Sequence, residues 1–272
     1  MSEPAAGRYV YCVIPAGSRP PLDGVAGVGP GAGVEVVEHQ GVGALCSRVS
    51  LDEFGAEALE RNLEDLDWLE RTARAHEAVL ARALAAGAVV PMRLCTIFAG
   101  EEQLREMLER ERGVLLDALE RVEGRAEWSV KLVADPSALE AAARERAPAL
   151  AALSADARGE SPGRAYLARK KLDRLLRDEA RALAEAAAEE VHAQLRERAV
   201  AATLLPAQHP ELAARPGEMV LNGAYLVDRG EEAGFVATAE QLGERRRELG
   251  LELLVTGPWA PYNFVAAEGP SG

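Results

Sequence analysis

The sequence predicts an α+β protein in two parts, an N-terminal α+β domain over residues 1–124 and a C-terminal βαββαβ domain over 125–272 with one long helix. Three observations predict it. Short β-branched runs bounded by Gly or Pro alternate with apolar stripes at three- and four-residue steps, the two periods of strand and helix. The composition, 48% hydrophobic and 28% charged over 272 residues, is that of a globular chain long enough for two cores. Finally, only 4% of residues are aromatic, so Ala and Leu carry the apolar content, which favours close helix packing.

The elements follow in order. Tyr9-Val10-Tyr11-Cys12-Val13-Ile14 is a strand stopped by Pro15, and a Gly/Pro-rich loop runs on to Gly33. Val34–Glu38 and Val42–Val49 form a hairpin around Gln40-Gly41. Ser50 with Glu53 has capping-box spacing, opening a long helix whose stripe is Leu59, Leu63, Leu66, Leu69, Ala73, His76, Leu80 and Leu84, ended by Gly87. Val89–Phe98 reads as a strand, and Pro91, which lacks an N–H, places its start or edge. Glu101–Arg121 is a second amphipathic helix with Leu104, Met107, Leu108, Leu115 and Leu119 on one side and acids in its first turn.

Gly124 opens the second half. Trp128–Val133 is a strand, and Asp135-Pro136 caps and starts a helix. Ser154–Gly163 reads as a polar loop, and Arg164–Ala199 as a long helix with a seam of Leu172, Leu176, Leu183, Val191 and Leu195. Val200–Leu205 and Met219–Val227 are strands. Thr238 with Gln241 has capping-box spacing, Gly250 closes that helix, and Leu251–Thr256 is the last strand. This βαββαβ order is the ferredoxin-like arrangement.

Chemistry-bearing patterns are sparse. The glycines of 24–33 lack G-x-G-x-x-G spacing and lead into a strand, so a turn is the simpler reading than a phosphate cradle. His76-Glu77 begins an HExxH-like pattern, but Leu80 stands where the second imidazole is required. His76 therefore reads as a hydrogen-bonded core residue, and neither metal nor cofactor is expected. No G-x-S-x-G elbow is present, and an enzyme could only be built from dispersed carboxylates. No segment approaches the roughly 20 apolar residues that span a bilayer. With no apolar leader after Met1, the three cysteines read as reduced thiols in a cytosol. The formal net charge of −13 opposes nucleic-acid binding. Charge is unevenly placed. Residues 52–77 hold nine acids against three arginines, while 164–177 hold six basic residues against Asp173. These read either as solvated faces or as a bipolar docking surface.

Several segments together resemble one family. Arg8-Tyr9-Val10-Tyr11-Cys12-Val13 and Val89-Val90-Pro91-Met92-Arg93-Leu94-Cys95-Thr96-Ile97-Phe98 resemble the opening strand and the V-(L/V)-P-x-R-F-G-T-x-F segment of the gas vesicle GvpL/GvpF proteins. His76-Glu77, Trp128-Ser129-Val130-Lys131, Asn222-Gly223-Ala224-Tyr225-Leu226-Val227 and Gly257-Pro258-Trp259-Ala260-Pro261-Tyr262-Asn263-Phe264 fit in the right order. Leu94 stands where the pattern has Phe, and Cys95 where it has Gly. The resemblance implies a cytoplasmic, gas-vesicle-associated accessory protein without catalytic activity. It also implies an N-terminal domain that meets the hydrophobic shell protein GvpA and assists its nucleation or assembly, and a ferredoxin-like C-terminal domain. A shell-subunit partner must cover apolar surface or a strand edge, so Met92, Arg93, Leu94 and Ile97 are the candidate contacts. For Met92, Leu94 and Ile97 a core role is the simpler alternative. Arg93 is expected to pair with a carboxylate such as Glu77 or one in the acidic helix first and to touch a partner second. A small-molecule-sensing ferredoxin-like module is the alternative function.

Overall fold

The structure is a computed structural model and describes residues 6–29, 31–146, 162–207 and 217–265. It is a mixed α/β fold with two antiparallel sheets. The chain divides into two compact units, residues 1–127 with 258–272, and residues 128–257. Among the described residues, 258–265 group with the first unit.

The first unit runs β1 (Ala6–Pro15), β2 (Glu35–His39), β3 (Val42–Ser50), α1 (Leu51–Phe54), α2 (Ala56–Asn62), α3 (Leu66–Ala86), β4 (Val90–Pro91), β5 (Ile97–Phe98), α4 (Glu101–Arg110) and α5 (Arg112–Val122). Its sheet has the order β2-β3-β1-β4, with β5 also on β1. The hairpin turn is where the sequence places it. Gln40 and Gly41 both take positive φ, 44° and 95°, the pair of conformations that suits strand twist and that Gly adopts without cost. Every residue of β1 from Gly7 to Ile14 is buried, so both faces of this strand are covered. Tyr9, Tyr11, Cys12 and Ile14 pack with Val79, Leu80, Ala83 and Leu84 of α3, while α4 and α5 lie against β1 with Leu104, Leu108, Leu115 and Leu119 buried. A bulge at Tyr11, between the pairs Val10–Cys46 and Cys12–Leu45, brings Tyr11 and Cys12 to one side.

Tyr11 also fixes the Gly-rich loop. Its hydroxyl lies 2.7 Å from Ser47 Oγ and accepts the Val28 N–H at 3.0 Å, and Ser47 Oγ donates to the Gly33 carbonyl at 2.9 Å. Gly27 passes so close that a Cβ there would stand 2.3 Å from Ser47 Oγ and 2.9 Å from the Ala32 carbonyl. Gly27→Ala is therefore expected to lower stability by about 1–2 kcal/mol in denaturant unfolding, the cost of local overpacking. An unchanged midpoint would show that the loop yields freely.

At the sheet's β2 edge, Arg105 Nη1 donates to the Glu38 carbonyl at 2.6 Å and Arg112 Nε to the Gln40 carbonyl at 2.7 Å, so helical side chains occupy backbone acceptors there. The buried Arg8 bridges Glu35 and Glu101 (2.7 Å to the latter), tying β1 to β2 and to α4.

Three expected elements are broken. The helix expected from Ser50 to Gly87 is three helices, because Gly55 and Asp65 interrupt it. Gly55 caps α1 in an extended conformation, and Asp65 Oδ1 accepts from the Asp67 and Trp68 amides to start α3 afresh. Leu63 and Leu66, placed on the apolar stripe by sequence, fall at that junction and are exposed, and the buried face is Trp68, Thr72, His76, Val79, Leu80 and Ala83. Ser50 Oγ does accept the Asp52 amide, but the Glu53 carboxylate takes the Trp68 indole N–H at 2.9 Å. The helix expected over 101–121 kinks at Glu111 into α4 and α5. The strand expected over 89–98 is two two-residue strands separated by a turn.

The second unit holds most of β6 (Arg125–Ala134) and β9 (Leu251–Trp259), with α6 (Pro136–Arg146), α7 (Pro162–Arg196), β7 (Ala201–Leu204), β8 (Glu218–Asp228) and α8 (Glu232–Arg247). Its sheet order is β7-β8-β6-β9. The Asp135 cap is confirmed, its Oδ1 accepting from the Ser137 and Ala138 amides. Val191 and Leu195 of α7 and Phe235, Ala239 and Leu242 of α8 bury against Val130, Leu132, Tyr225 and Val227. The helix before β9 begins at Glu232, so Thr238 is interior rather than a cap, and its hydroxyl bonds back to the Gly234 carbonyl at 2.8 Å. Residues 154–161 of the expected loop lie outside the described residues, and 162–163 already belong to α7.

Candidate functional site

The side of the first sheet built from β1, β4 and β5 is where the candidate residues gather. β1 supplies the frame: Cys12 and Val13 pair with Pro91 and Val90, and Arg8 and Tyr9 pair with Phe98 and Ile97. Between the two short strands the chain turns through Met92–Thr96. The Thr96 amide donates to the Arg93 carbonyl at 3.1 Å, closing a four-residue turn with Leu94 and Cys95 at its centre. Cys95 has φ +64° there. Such turns favour Gly at this position because an L side chain crowds its own backbone. The departure from the family pattern at Cys95 therefore falls where the backbone needs Gly. Cys95→Gly is expected to stabilise by about 0.5–1 kcal/mol, relief of the positive-φ cost less the entropy of Gly and some lost packing. Cys95→Ala, which keeps the φ cost, is not expected to do so. Equal denaturation midpoints for the Gly and Ala variants would refute this.

Beneath the turn lies a chain of polar groups. Tyr9 Oη accepts the Cys95 N–H at 3.2 Å and lies 2.9 Å from His76 Nδ1. His76 Nε2 is 3.1 Å from Tyr262 Oη, which donates to Glu77 Oε1 at 3.4 Å. One arrangement satisfies every group: Tyr9 donates to Nδ1, and the Nε2–H of a neutral imidazole donates to Tyr262. His76 is 1% exposed. Burial moves its pKa down to about 4, against a smaller opposing pull from the Met92 carbonyl. Burial pushes the Tyr9 and Tyr262 phenols and the Glu77 carboxyl upward. His76 is thus the hydrogen-bonded core residue that its place on the stripe indicates. A neutral, enclosed imidazole held between two phenols suits a structural tie.

The four candidate contacts separate in space. Arg93 is exposed, while Met92, Leu94 and Ile97 are half-buried. Ile97, like Cys95, packs against the core around Tyr9. The expected Arg93–Glu77 pair does not form: among the described residues no ion pair of Arg93 occurs, and Glu77 accepts from Tyr262 instead. The sequence reading did not assign the contacts of the C-terminal motif. Ala260 and Tyr262 join the first unit's core, and Asn263 donates through its amide N–H and Nδ2 to the two oxygens of buried Glu127, at 2.8 and 2.6 Å. The visible signal was a Tyr262-Asn263 pair just beyond two prolines, polar enough to need partners.

Among the described residues no cluster of three His, Cys, Asp or Glu could hold a metal, and no helix is long and apolar enough to cross a membrane. Depressions occur among the described residues. One of about 650 Å³ lies beside Gly31–Val34, Arg48 and Glu53, and one of about 1350 Å³ lies between α8 and β9. Both open to solvent.

Comparison with known proteins places these features. The family described as "Gas vesicle synthesis protein GvpL/GvpF" matches residues 7–266. Gas vesicle protein L of Streptomyces sp. (strain CB03234) is 38% identical over 262 residues, covering 95% of this chain and 92% of that protein. Gas vesicle protein L2 of Halobacterium salinarum (strain ATCC 700922 / JCM 11081 / NRC-1) is 29% identical over 272 residues, covering 95% of this chain and 91% of that protein. The crystal structure of the gas vesicle protein GvpF from Anabaena sp. PCC7120 matches with a TM-score of 0.72 at 19% identity, covering 96% of this chain and 98% of that one. At that identity the structural match speaks to the fold, whereas the sequence matches speak to kinship. The chain belongs to the GvpL/GvpF family of gas vesicle synthesis proteins.

Proposed function

We propose that this protein is a non-catalytic, cytoplasmic accessory factor of gas vesicle formation that binds the hydrophobic shell subunit GvpA and assists its nucleation or assembly. The contact begins at Met92, Arg93, Leu94 and Ile97. The observation that carries this reading is the turn itself: Arg93 stands exposed between half-buried Met92 and Leu94 on the sheet edge opposite β2, where the described strand order ends. Short, Pro-bearing strands discourage indiscriminate pairing at such an edge, while apolar side chains beside it offer a partner strand or helix specific contacts. Tyr9, from below, holds the turn by the Cys95 amide, so little order is lost on binding. The net charge of −13 keeps a complex with an aggregation-prone subunit dispersed.

We read the second unit as a ferredoxin-like domain. Its element order, strand–helix–helix–strand–strand–helix–strand, and its sheet order β7-β8-β6-β9 support this. The alternative of a small-molecule sensor gains little from the depressions beside Gly31–Val34 and between α8 and β9, both of which open to solvent.

The test is co-expression of the tagged full-length chain with GvpA, followed by capture and quantification of GvpA. The wild type is expected to retain the subunit. Met92→Ser with Leu94→Ser is expected to reduce retention at least about tenfold, a loss of about 1.4 kcal/mol, with unfolding midpoints shifted little. Full retention by the folded double variant would move the contact elsewhere, and no retention by wild type would overturn the binding reading.

A further inference from the structure

Two patches of opposite charge on this chain share an unusual feature: each surrounds exposed apolar side chains. On α7, Tyr166 and Leu167 are each 65% exposed. Leu167 has Arg164 three residues before it and Lys170, Lys171 and Arg174 within seven after it, so the leucine and the cations share a helix face. At the junction of α2 and α3, Leu63 and Leu66 are 46% and 77% exposed. Around them stand the exposed acids Glu60, Glu64, Asp65, Asp67 and Glu70, with Arg61 the one basic residue of that stretch. Four of the eight large exposed hydrophobic residues among the described residues lie in these two patches. Scattered surface leucines need no explanation, but an apolar centre inside a rim of one charge has the anatomy of an interface.

We propose that the cationic, apolar face at the start of α7 docks onto the acidic, apolar junction of α2 and α3 on a second copy of this chain. Charge complementarity selects that occupant. In a protein of net charge −13, the stretch 164–177 is locally positive, and the acidic stretch at the α2–α3 junction carries matching apolar residues at its centre. The pairing is heterologous, so a joined pair still leaves one patch of each kind free, one at each end, and association extends with concentration. Long-range repulsion between acidic copies opposes it, which makes the contact weak and salt-dependent. For an accessory protein of an assembling shell, such a contact would array several copies around a growing site.

The test is sedimentation velocity of the purified full chain across a concentration series at about 50 mM and about 500 mM NaCl, salt levels on either side of effective charge screening. The expected result is a weight-average mass that climbs above 29.0 kDa with concentration at low salt and returns to the monomer at high salt. Two charge-reversed variants, Lys170→Glu with Lys171→Glu and Glu64→Lys with Asp67→Lys, are each expected to stay monomeric alone and to associate when mixed. These positions are exposed, so folding is not at stake, and circular dichroism verifies it. A wild type that remains monomeric at low salt overturns the proposal. So does an associating single variant, or a mixture that stays monomeric. Loss of GvpA capture by the Lys170/Lys171 variant with self-association unchanged would assign the patch to that partner instead and equally overturn it.

Discussion

Between pH 7 and pH 5 the protein is expected to lose about 2 kcal/mol of folding stability through the single side chain His76. The sign follows from burial. In the unfolded chain the imidazole takes its proton near its ordinary value of 6.5, whereas in the fold it resists protonation down to about 4. The unfolded state therefore binds the extra proton throughout that interval, and stability falls as pH drops. The contribution is complete above about pH 6.5 and lost progressively toward about pH 4, a total of about 3 kcal/mol at 1.36 kcal/mol per unit of displacement. Two carboxyls work in the opposite direction, buried Glu127 and the more exposed Glu77. Glu77 and Glu127 have raised values, so folding favours their protonated forms and gains from them as pH falls. The comparison must therefore be between wild type and His76→Phe, unfolded in urea at a series of pH values. At pH 7 the variant should be less stable by about 2–3 kcal/mol, since the Tyr9 hydroxyl loses its acceptor and the Tyr262 hydroxyl the donor it faces, while each keeps one other partner. Toward pH 5 the two curves should converge. Curves that stay parallel would mean that His76 is solvated in the native protein.

That His76 belongs in the core was legible from its place among leucines at helical spacing, as were the Gln40-Gly41 turn and the Asp135-Pro136 helix start. These are local signals, in which a few residues decide their own conformation. The missed features were decided from a distance. Val89–Phe98 is composed like a strand, and only the capture of the Cys95 amide by Tyr9, 86 residues away, reveals the turn that splits it. Leu63 and Leu66 fit an apolar stripe, yet Asp65 caps a new helix between them, and a strong cap overrides a periodicity that two helices can share. Thr238 erred the other way: its spacing with Gln241 imitated a cap inside a helix already begun at Glu232. For the candidate site, the residue types were visible and their grouping was not. Arg93, flanked by apolar residues, looked like a group needing a buried partner, but the turn carries it into solvent.

Asn263→Leu is expected to destabilise the protein by about 2–3 kcal/mol, although Asn263 is itself exposed and lies near the end of the described chain. Its effect comes through Glu127. That carboxylate is buried and receives both described donors from this one residue, the backbone N–H at 2.8 Å and Nδ2 at 2.6 Å. Burial alone pushes the carboxyl upward in pKa, and the Asn263 donors hold it back toward ionisation. Without Nδ2, an ionised group remains desolvated with half its partners, a loss larger than that of an ordinary hydrogen bond. The consequences spread along the tail. Ala260 and Tyr262 sit in the first unit's core and Tyr262 completes the hydrogen bonding of His76, so a loosened Asn263 also loosens the tie beneath the Met92–Thr96 turn. Proteolysis should therefore cut the variant's tail faster, and its unfolding curve should show the His76 pH dependence weakened as water reaches the imidazole. Asn263→Asp separates charge from geometry: it keeps the size and the backbone donor but sets a second carboxylate against Glu127, and should cost at least as much at pH 7 while recovering in acid. If Asn263→Leu shifts stability by less than about 0.5 kcal/mol, the range of ordinary surface substitutions, Glu127 is not held by the tail.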